Sequence, residues 1–118
     1  VINYGNALLE MGRYAEAETA FRRAADAAPA SPLGSYGLGL VAERRKDLER
    51  AIAFFRRSVE IDSKFQRSHF NLAAAYANLR KYSEAVVALK TLLRLSPNDR
   101  EARAMLRQIE REEAKQRE

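Results

Sequence analysis

The chain has 118 residues, with Lys+Arg 21 against Asp+Glu 16, a formal charge of +5, 47% hydrophobic and 31% charged residues. That balance suits a globular chain, long enough for one domain or a short repeat array, and argues against disorder. Cys 0 excludes disulfide frameworks, cysteine zinc sites and thiol nucleophiles, and Gly 5 with Pro 3 leaves too few turn residues for an all-β chain.

No apolar run approaches the roughly 18 residues that span a bilayer, so a membrane partner is not expected. Composition leaves the compartment unknown, with the cytoplasm as default. The chain starts at Val1 without a methionine, so it reads as a fragment or processed piece.

Ile2, Tyr4, Ala7, Leu8 and Met11 recur near the helical period and predict a first helix over residues 1–11. Gly12 supplies a left-handed stop. A second helix is predicted from Tyr14 to Ala28, striped by Ala17, Phe21 and Ala24 and ended by Pro29. Ser31-Pro32 reads as N-cap and first helical position of a third helix, running to Arg45 with Leu38, Gly39, Val41 and Ala42 inward. Its partner spans Leu48–Ile61 and carries Ala51, Phe54, Phe55 and Val59. A third pair follows at Gln66–Leu79 and Tyr82–Leu95. Asn98-Asp99 then opens a last helix, whose narrow stripe of Ala102, Met105, Leu106 and Ile109 suits a cap; residues after about Glu112 are expected to fray.

The frame Gly12-x-Tyr14-x-x-Ala17-x-x-x-Phe21-x-x-Ala24-x-x-x-x-Pro29 returns 34 residues on, from Lys46, and again from Arg80. A left-handed backbone at Lys46 or Arg80 would be strained by about 1–2 kcal/mol, because neither is glycine. Small residues (Gly5, Gly39, Ala73; Ala17, Ala51, Ala85) stand where helices must approach, with Phe21, Phe55 and Leu89 opposite. The period means stacked helix pairs, each too thin to bury its own apolar face.

These residues resemble the tetratricopeptide repeat (TPR) family, whose first-helix set is matched by Val1, Tyr4, Gly5, Leu8, then Ser35, Leu38, Gly39, Ala42, then His69, Leu72, Ala73, Tyr76. Tryptophan is absent, and Leu48, Ser58 and Ser63 replace the family's Tyr, Ala and Pro. The resemblance implies an all-α, right-handed superhelical solenoid of antiparallel helix pairs. Its parts would be repeat one (1–31, truncated at its start), repeat two (32–65), repeat three (66–99) and a capping helix (100–118). First helices would line a concave groove. Groove positions would be Ile2, Asn3, Asn6, Leu9 and Glu10, then Leu33, Tyr36, Gly37, Leu40, Glu43 and Arg44. Repeat three would add Arg67, Phe70, Asn71, Ala74, Ala77 and Asn78.

A branch of the family grips chaperone tails with a carboxylate clamp. In this register the clamp needs Lys at Ile2, Asn at Gly37 and Arg at Asn71, and only Asn6 and Arg67 fit, so the full clamp is not expected. The expected function is a non-catalytic protein–protein interaction scaffold that binds a peptide segment with apolar anchors. Tyr36, Leu40 and Phe70 would be the anchors; Asn3, Asn6, Asn71 and Asn78 would hold peptide backbone, with Arg44 and Arg67 beside them. The competing reading, in which Tyr36 and Phe70 pack between repeats, stays open.

His69, the single histidine, stands at the family's packing-Trp position, where a half-buried helix–helix contact is expected; neither a cysteine nor a second histidine exists to share catalysis or metal binding, so no enzyme, metal or cofactor is expected. Arg22-Arg23, Arg56-Arg57 and Lys90 form a basic stripe on second helices, but no aromatics interleave with it to stack bases, and nucleic acid is the lesser alternative. Self-association through solenoid ends, using Val1, Tyr4 and Leu8, is the other alternative.

Overall fold

A computed structural model of the chain describes residues 2–118. The described residues form seven helices and no strand: α1 (Ile2–Glu10), α2 (Tyr14–Ala27), α3 (Leu33–Arg44), α4 (Leu48–Ile61), α5 (Gln66–Asn78), α6 (Tyr82–Leu95) and α7 (Arg100–Gln116). The fold is all-α, as the stripes predict. Val1, expected in the first-helix packing set, lies outside the described residues. Two compact units are distinguished, one ending at Phe65 and one spanning Gln66–Glu118.

The turns within the three helix pairs share one hydrogen-bond scheme. Arg13 N–H donates to Leu8 O at 2.9 Å and Gly12 N–H to Leu9 O at 3.0 Å. Asp47 and Lys46 repeat this onto Ala42 and Glu43, and Lys81 and Arg80 onto Tyr76 and Ala77. This is the Schellman closure, which places its central residue in the left-handed region. Gly12 sits at φ 76°, Lys46 at 66° and Arg80 at 60°. The period thus imposes glycine geometry on two residues that carry a Cβ. Lys46→Gly and Arg80→Gly are each expected to raise the unfolding free energy by about 1 kcal/mol, read as a higher urea midpoint at unchanged slope. No gain at either site would mean that the αL backbone is not strained.

Helix starts are capped unevenly. Asp47 Oδ1 accepts the Arg50 N–H at 3.2 Å, and Asp99 Oδ1 accepts the Ala102 N–H at 3.0 Å. Arg13 and Lys81, the residues before α2 and α6, provide no side-chain cap. At α3 the expected start moves by one residue. Pro32 occupies the cap position, and the Ser31 hydroxyl accepts the Leu33 N–H at 3.3 Å.

In the first unit α2 packs between α1 and α3, α3 packs on α4, and α1 touches α3. Phe21 is buried, and its ring fills a slot with glycine on both sides. A Cβ on Gly5 would meet it at 2.8 Å, and one on Gly37 at 2.2 Å. Ala17, Ala51 and Phe55 are fully buried, so small-against-large packing holds as expected. Ser58, at a family Ala position, is buried and donates its hydroxyl to the Pro32 carbonyl at 3.2 Å, which removes the penalty of an unpaired buried group.

Three expectations for α1 and α3 need correction. Leu9, read as groove-facing, is in the core with Leu8, Phe21, Leu38 and Val41. Gly37, also read as groove-facing, is buried under the Phe21 ring. Tyr4 and Met11, read as the apolar stripe of α1, are 61% and 60% exposed. The α3 position equivalent to Tyr4 is Leu38, buried in the core that α2 joins, whereas the described residues place nothing over Tyr4.

The second unit stacks α5, α6 and α7 in order. Leu72, Ala73, Ala85, Leu89, Leu92, Ala102 and Ile109 are buried, while Met105 and Leu106 are half-buried. α7 continues to Gln116, past the expected fraying point. Ion pairs Lys115–Glu112 at 3.5 Å and Arg117–Glu113 at 3.6 Å line its last turns, and Ser83 at the start of α6 donates to Glu113 at 3.4 Å.

Candidate functional site

First-helix residues one period apart lie side by side in the first unit. Arg44 Nη2 on α3 reaches Glu10 Oε1 on α1 at 3.3 Å, and the two are repeat-equivalent. On the same faces Asn6 corresponds to Leu40, and Ile2 to Tyr36. Asn3 and Asn6 are exposed. Leu40 and Ile2 are half-buried and lean on the core. The arrangement is an apolar centre with amides and one ion pair at its edge.

Tyr36 is half-buried, neither sealed nor free. Its ring lies 5.9 Å from Phe55, tilted, and 5.3 Å from Phe65, edge-on. Both the anchor and the packing readings therefore retain a physical basis at this residue. Sequence reasoning missed Phe65, which follows α4 and stands where the other repeats have Ser31 and Asp99. The only signal was that an aromatic breaks a polar column.

Arg44 is engaged by Glu10, so an acidic ligand group would compete with a pair already formed. Exposed pairs of this kind contribute about 0–1 kcal/mol, so that competition is mild. Beside it, burial pushes the half-buried Glu43 carboxyl above its ordinary range, and the Arg44 charge opposes the shift. A carboxyl raised on folding binds its proton more tightly in the native state, so stability falls as pH rises through the folded pKa. Glu43→Gln is expected to flatten that decline and to raise the melting temperature at pH 7 but not at pH 3. Equal effects at both pH values would show that the Glu43 charge is not responsible.

In the second unit, α5 carries Arg67, Phe70, Asn71, Ala74, Ala77 and Asn78. Arg67 and Asn78 are exposed; the other four are half-buried. His69 is more deeply buried than the expected half-buried contact. Among the described residues no three His, Asp or Glu side chains stand close enough to share a metal ion. No helix among them is long and apolar enough to cross a membrane.

Tetratricopeptide repeat profiles match residues 4–64 and 42–109. Among curated proteins, anaphase-promoting complex subunit 3 of Schizosaccharomyces pombe is 29% identical over 105 residues, which cover 89% of this chain and 16% of that protein. Thus the chain spans about a sixth of that relative's length. Among solved structures, the first TPR of Spaghetti (RPAP3) bound to the HSP90 peptide SRMEEVD superposes with a TM-score of 0.89 at 27% identity, covering 95% of this chain and 91% of that one. The first TPR domain of human RPAP3 gives 0.90 at 26% identity, with 97% and 90% covered. The Sgt2 TPR domain from Aspergillus fumigatus gives 0.89 at 19%, with 98% and 78% covered, and speaks for the fold alone. With over half of its residues matched by either profile, and with the left-handed turns and small-against-large packing that the repeat demands, the chain belongs to the tetratricopeptide repeat family.

Proposed function

We propose that this chain is a non-catalytic interaction scaffold whose first-helix faces take up a peptide segment of a partner protein. The observation that carries the reading is Tyr36. An aromatic side chain, propped by Phe55 and Phe65 yet half open, stands on α3, which touches α1 with its exposed Asn3 and Asn6. Rigid aromatics of this kind supply contact area at small entropic cost. The likeness to a TPR bound to an HSP90 peptide supports a peptide as the class of ligand. This chain has Ile2, Gly37 and Asn71 where a carboxylate clamp needs Lys, Asn and Arg. The reading therefore favours apolar anchors, Tyr36 and Leu40 on the first unit and Phe70 on the second. Asn3, Asn6, Asn71 and Asn78 would hold its backbone, and Arg44 and Arg67 would take any acidic group.

The test is affinity capture with the parent, followed by titration of the captured partner against variants. Tyr36→Ala and Phe70→Ala are each expected to weaken binding by at least about 1 kcal/mol. Tyr36→Ala also removes packing on Phe55, so melting curves accompany it. Asn6→Ala disturbs no core and is expected to lose about 0.5–1.5 kcal/mol of binding at unchanged stability. Parent-like binding by all three variants would remove these faces as the site.

One observation favours self-association as a second reading. Tyr4 borders an open cavity of about 400 Å³ shared with Ala15, Thr19 and Arg23. Leu8 cannot take part, because it is 1% exposed within the core. Sedimentation velocity over a wide concentration range decides the matter: a species that stays monomeric throughout ends this alternative.

A further inference from the structure

The arginine pairs of the second helices do not form one stripe. Arg22 of α2 and Arg57 of α4 line the same cavity, of about 340 Å³, while Arg23 lines the separate cavity beside Tyr4. The Arg22–Arg57 cavity lies between α2 and α4 and is floored by α3, away from the Tyr36 face. Ala25, Pro29, Leu38 and Phe54 supply its apolar surface, and Asp26 lies on its α2 side. Its size accommodates two medium side chains, at the low end of ordinary ligand pockets.

Three features mark this cavity as built for a negatively charged guest with an apolar neighbour. Arg57 has no ion-pair or hydrogen-bond partner among the described residues, and Arg22 pairs with Glu18, which Arg45 also engages at 3.1 Å. Ser35 lines the cavity; no hydrogen bond engages its hydroxyl, and since no buried side-chain N or O atom among the described residues lacks a partner, that hydroxyl opens onto the cavity. Phe54 is half-buried and offers an aromatic surface between the two arginines' helices.

We propose that this furrow is a second docking site, for an acidic peptide segment, in which a Glu or Asp carboxylate sits between Arg22 and Arg57 and accepts from the Ser35 hydroxyl, with the adjoining apolar side chain on Phe54 and Pro29. Charge complementarity selects the acidic residue: Arg57 has no ion-pair partner among the described residues and Arg22 shares Glu18 with Arg45, so three guanidinium groups stand against the two carboxylates Glu18 and Asp26 in and beside the cavity. Asp26 in turn suits a backbone N–H of the same peptide. A guanidinium–carboxylate contact in a partly enclosed cavity is among the stronger polar contacts.

The probe is the peptide acetyl-Leu-Glu-Leu-Ala-amide, with its Gln counterpart as control, titrated into isotope-labelled protein and followed by amide NMR shifts. Saturable shifts are expected at Ala25, Ser35 and Phe54, with about threefold weaker binding of the Gln peptide and of Arg57→Gln, as for loss of an exposed ion pair. Ser35→Ala is expected to bind about threefold more weakly, as for loss of a hydrogen bond. Asn6→Ala, on the other face, is expected to bind as the parent does. Arg57→Gln touches no partner, so its melting curve should match the parent and leave a binding loss interpretable. Equal affinity for the Glu and Gln peptides, parent-like binding by Arg57→Gln, or shifts at Asn3 and Asn6 in place of the furrow would each overturn the proposal. So would a single-stranded RNA that moves the same amides, with affinity falling steeply in salt, when the Glu peptide moves none.

Discussion

Phe21→Ala is expected to lower the unfolding free energy by about 4–5 kcal/mol, the upper part of the range for a lost core aromatic. The size of the loss depends on how far a cavity can collapse, and here the walls cannot follow. Gly5 of α1 and Gly37 of α3 face the ring with no side chain to swing inward. Only a backbone shift of α1 or α3 could fill the space, and that would break their packing on α2. Phe21→Leu retains most of the volume and is expected to lose about 1–1.5 kcal/mol. Urea unfolding followed by circular dichroism measures both. A loss below about 1 kcal/mol for Phe21→Ala would show that the helices close over the gap and that the slot is not rigid.

The contrast between what was legible and what was not follows from what periodicity encodes. The stripe Ala17, Phe21 and Ala24 marks one side of a helix, and the return of its frame at Ala51 and Ala85 marks equivalent helices. Helix number and pairing follow from that alone, whereas a left-handed turn at Lys46 and Arg80 is only a condition of the frame, which the backbone then meets. Periodicity does not say whether a neighbour covers the side it marks. Tyr4 and Leu38 are equivalent in register, yet one is exposed and the other buried, because α2 joins the core around the second and nothing described lies over the first. Nor does periodicity separate an apolar groove position from a core position half a turn away, so Leu9 reads as groove although it is core. The last turns of α7 carry exposed ion pairs that helical spacing permits but does not require. At the candidate site, Arg44 and Glu10 read only as groove positions, although their opposite charges stand one period apart, and the propping of Tyr36 by Phe65 depends on a loop residue outside the repeat pattern.

Gly37→Asn carries the second large effect, and it bears on specificity as well as stability. Asn is what a carboxylate clamp of the family needs at this position, so the substitution looks like a step toward a chaperone-tail binder. The structure makes it a step toward unfolding. A Cβ on Gly37 would lie 2.2 Å from Phe21 Cδ1 and 2.5 Å from Cγ, and those are atoms at the base of a ring already held by Gly5. The ring cannot turn aside as the tip of a flexible chain could, so α3 must move away from α2. Overpacking of this kind destabilises by about 1–3 kcal/mol, which outweighs the few tenths gained by replacing glycine within a helix. The clash has a single cause, so trimming that cause should relieve it. In a cycle of parent, Gly37→Asn, Phe21→Leu and the double variant, the double is expected to lose less than the sum of the singles by about 0.5–3 kcal/mol. Additive losses would place the strain elsewhere in α3. A neutral Gly37→Asn would show that Phe21 leaves room for a side chain there, and the physical argument against a clamp at this position would then fall.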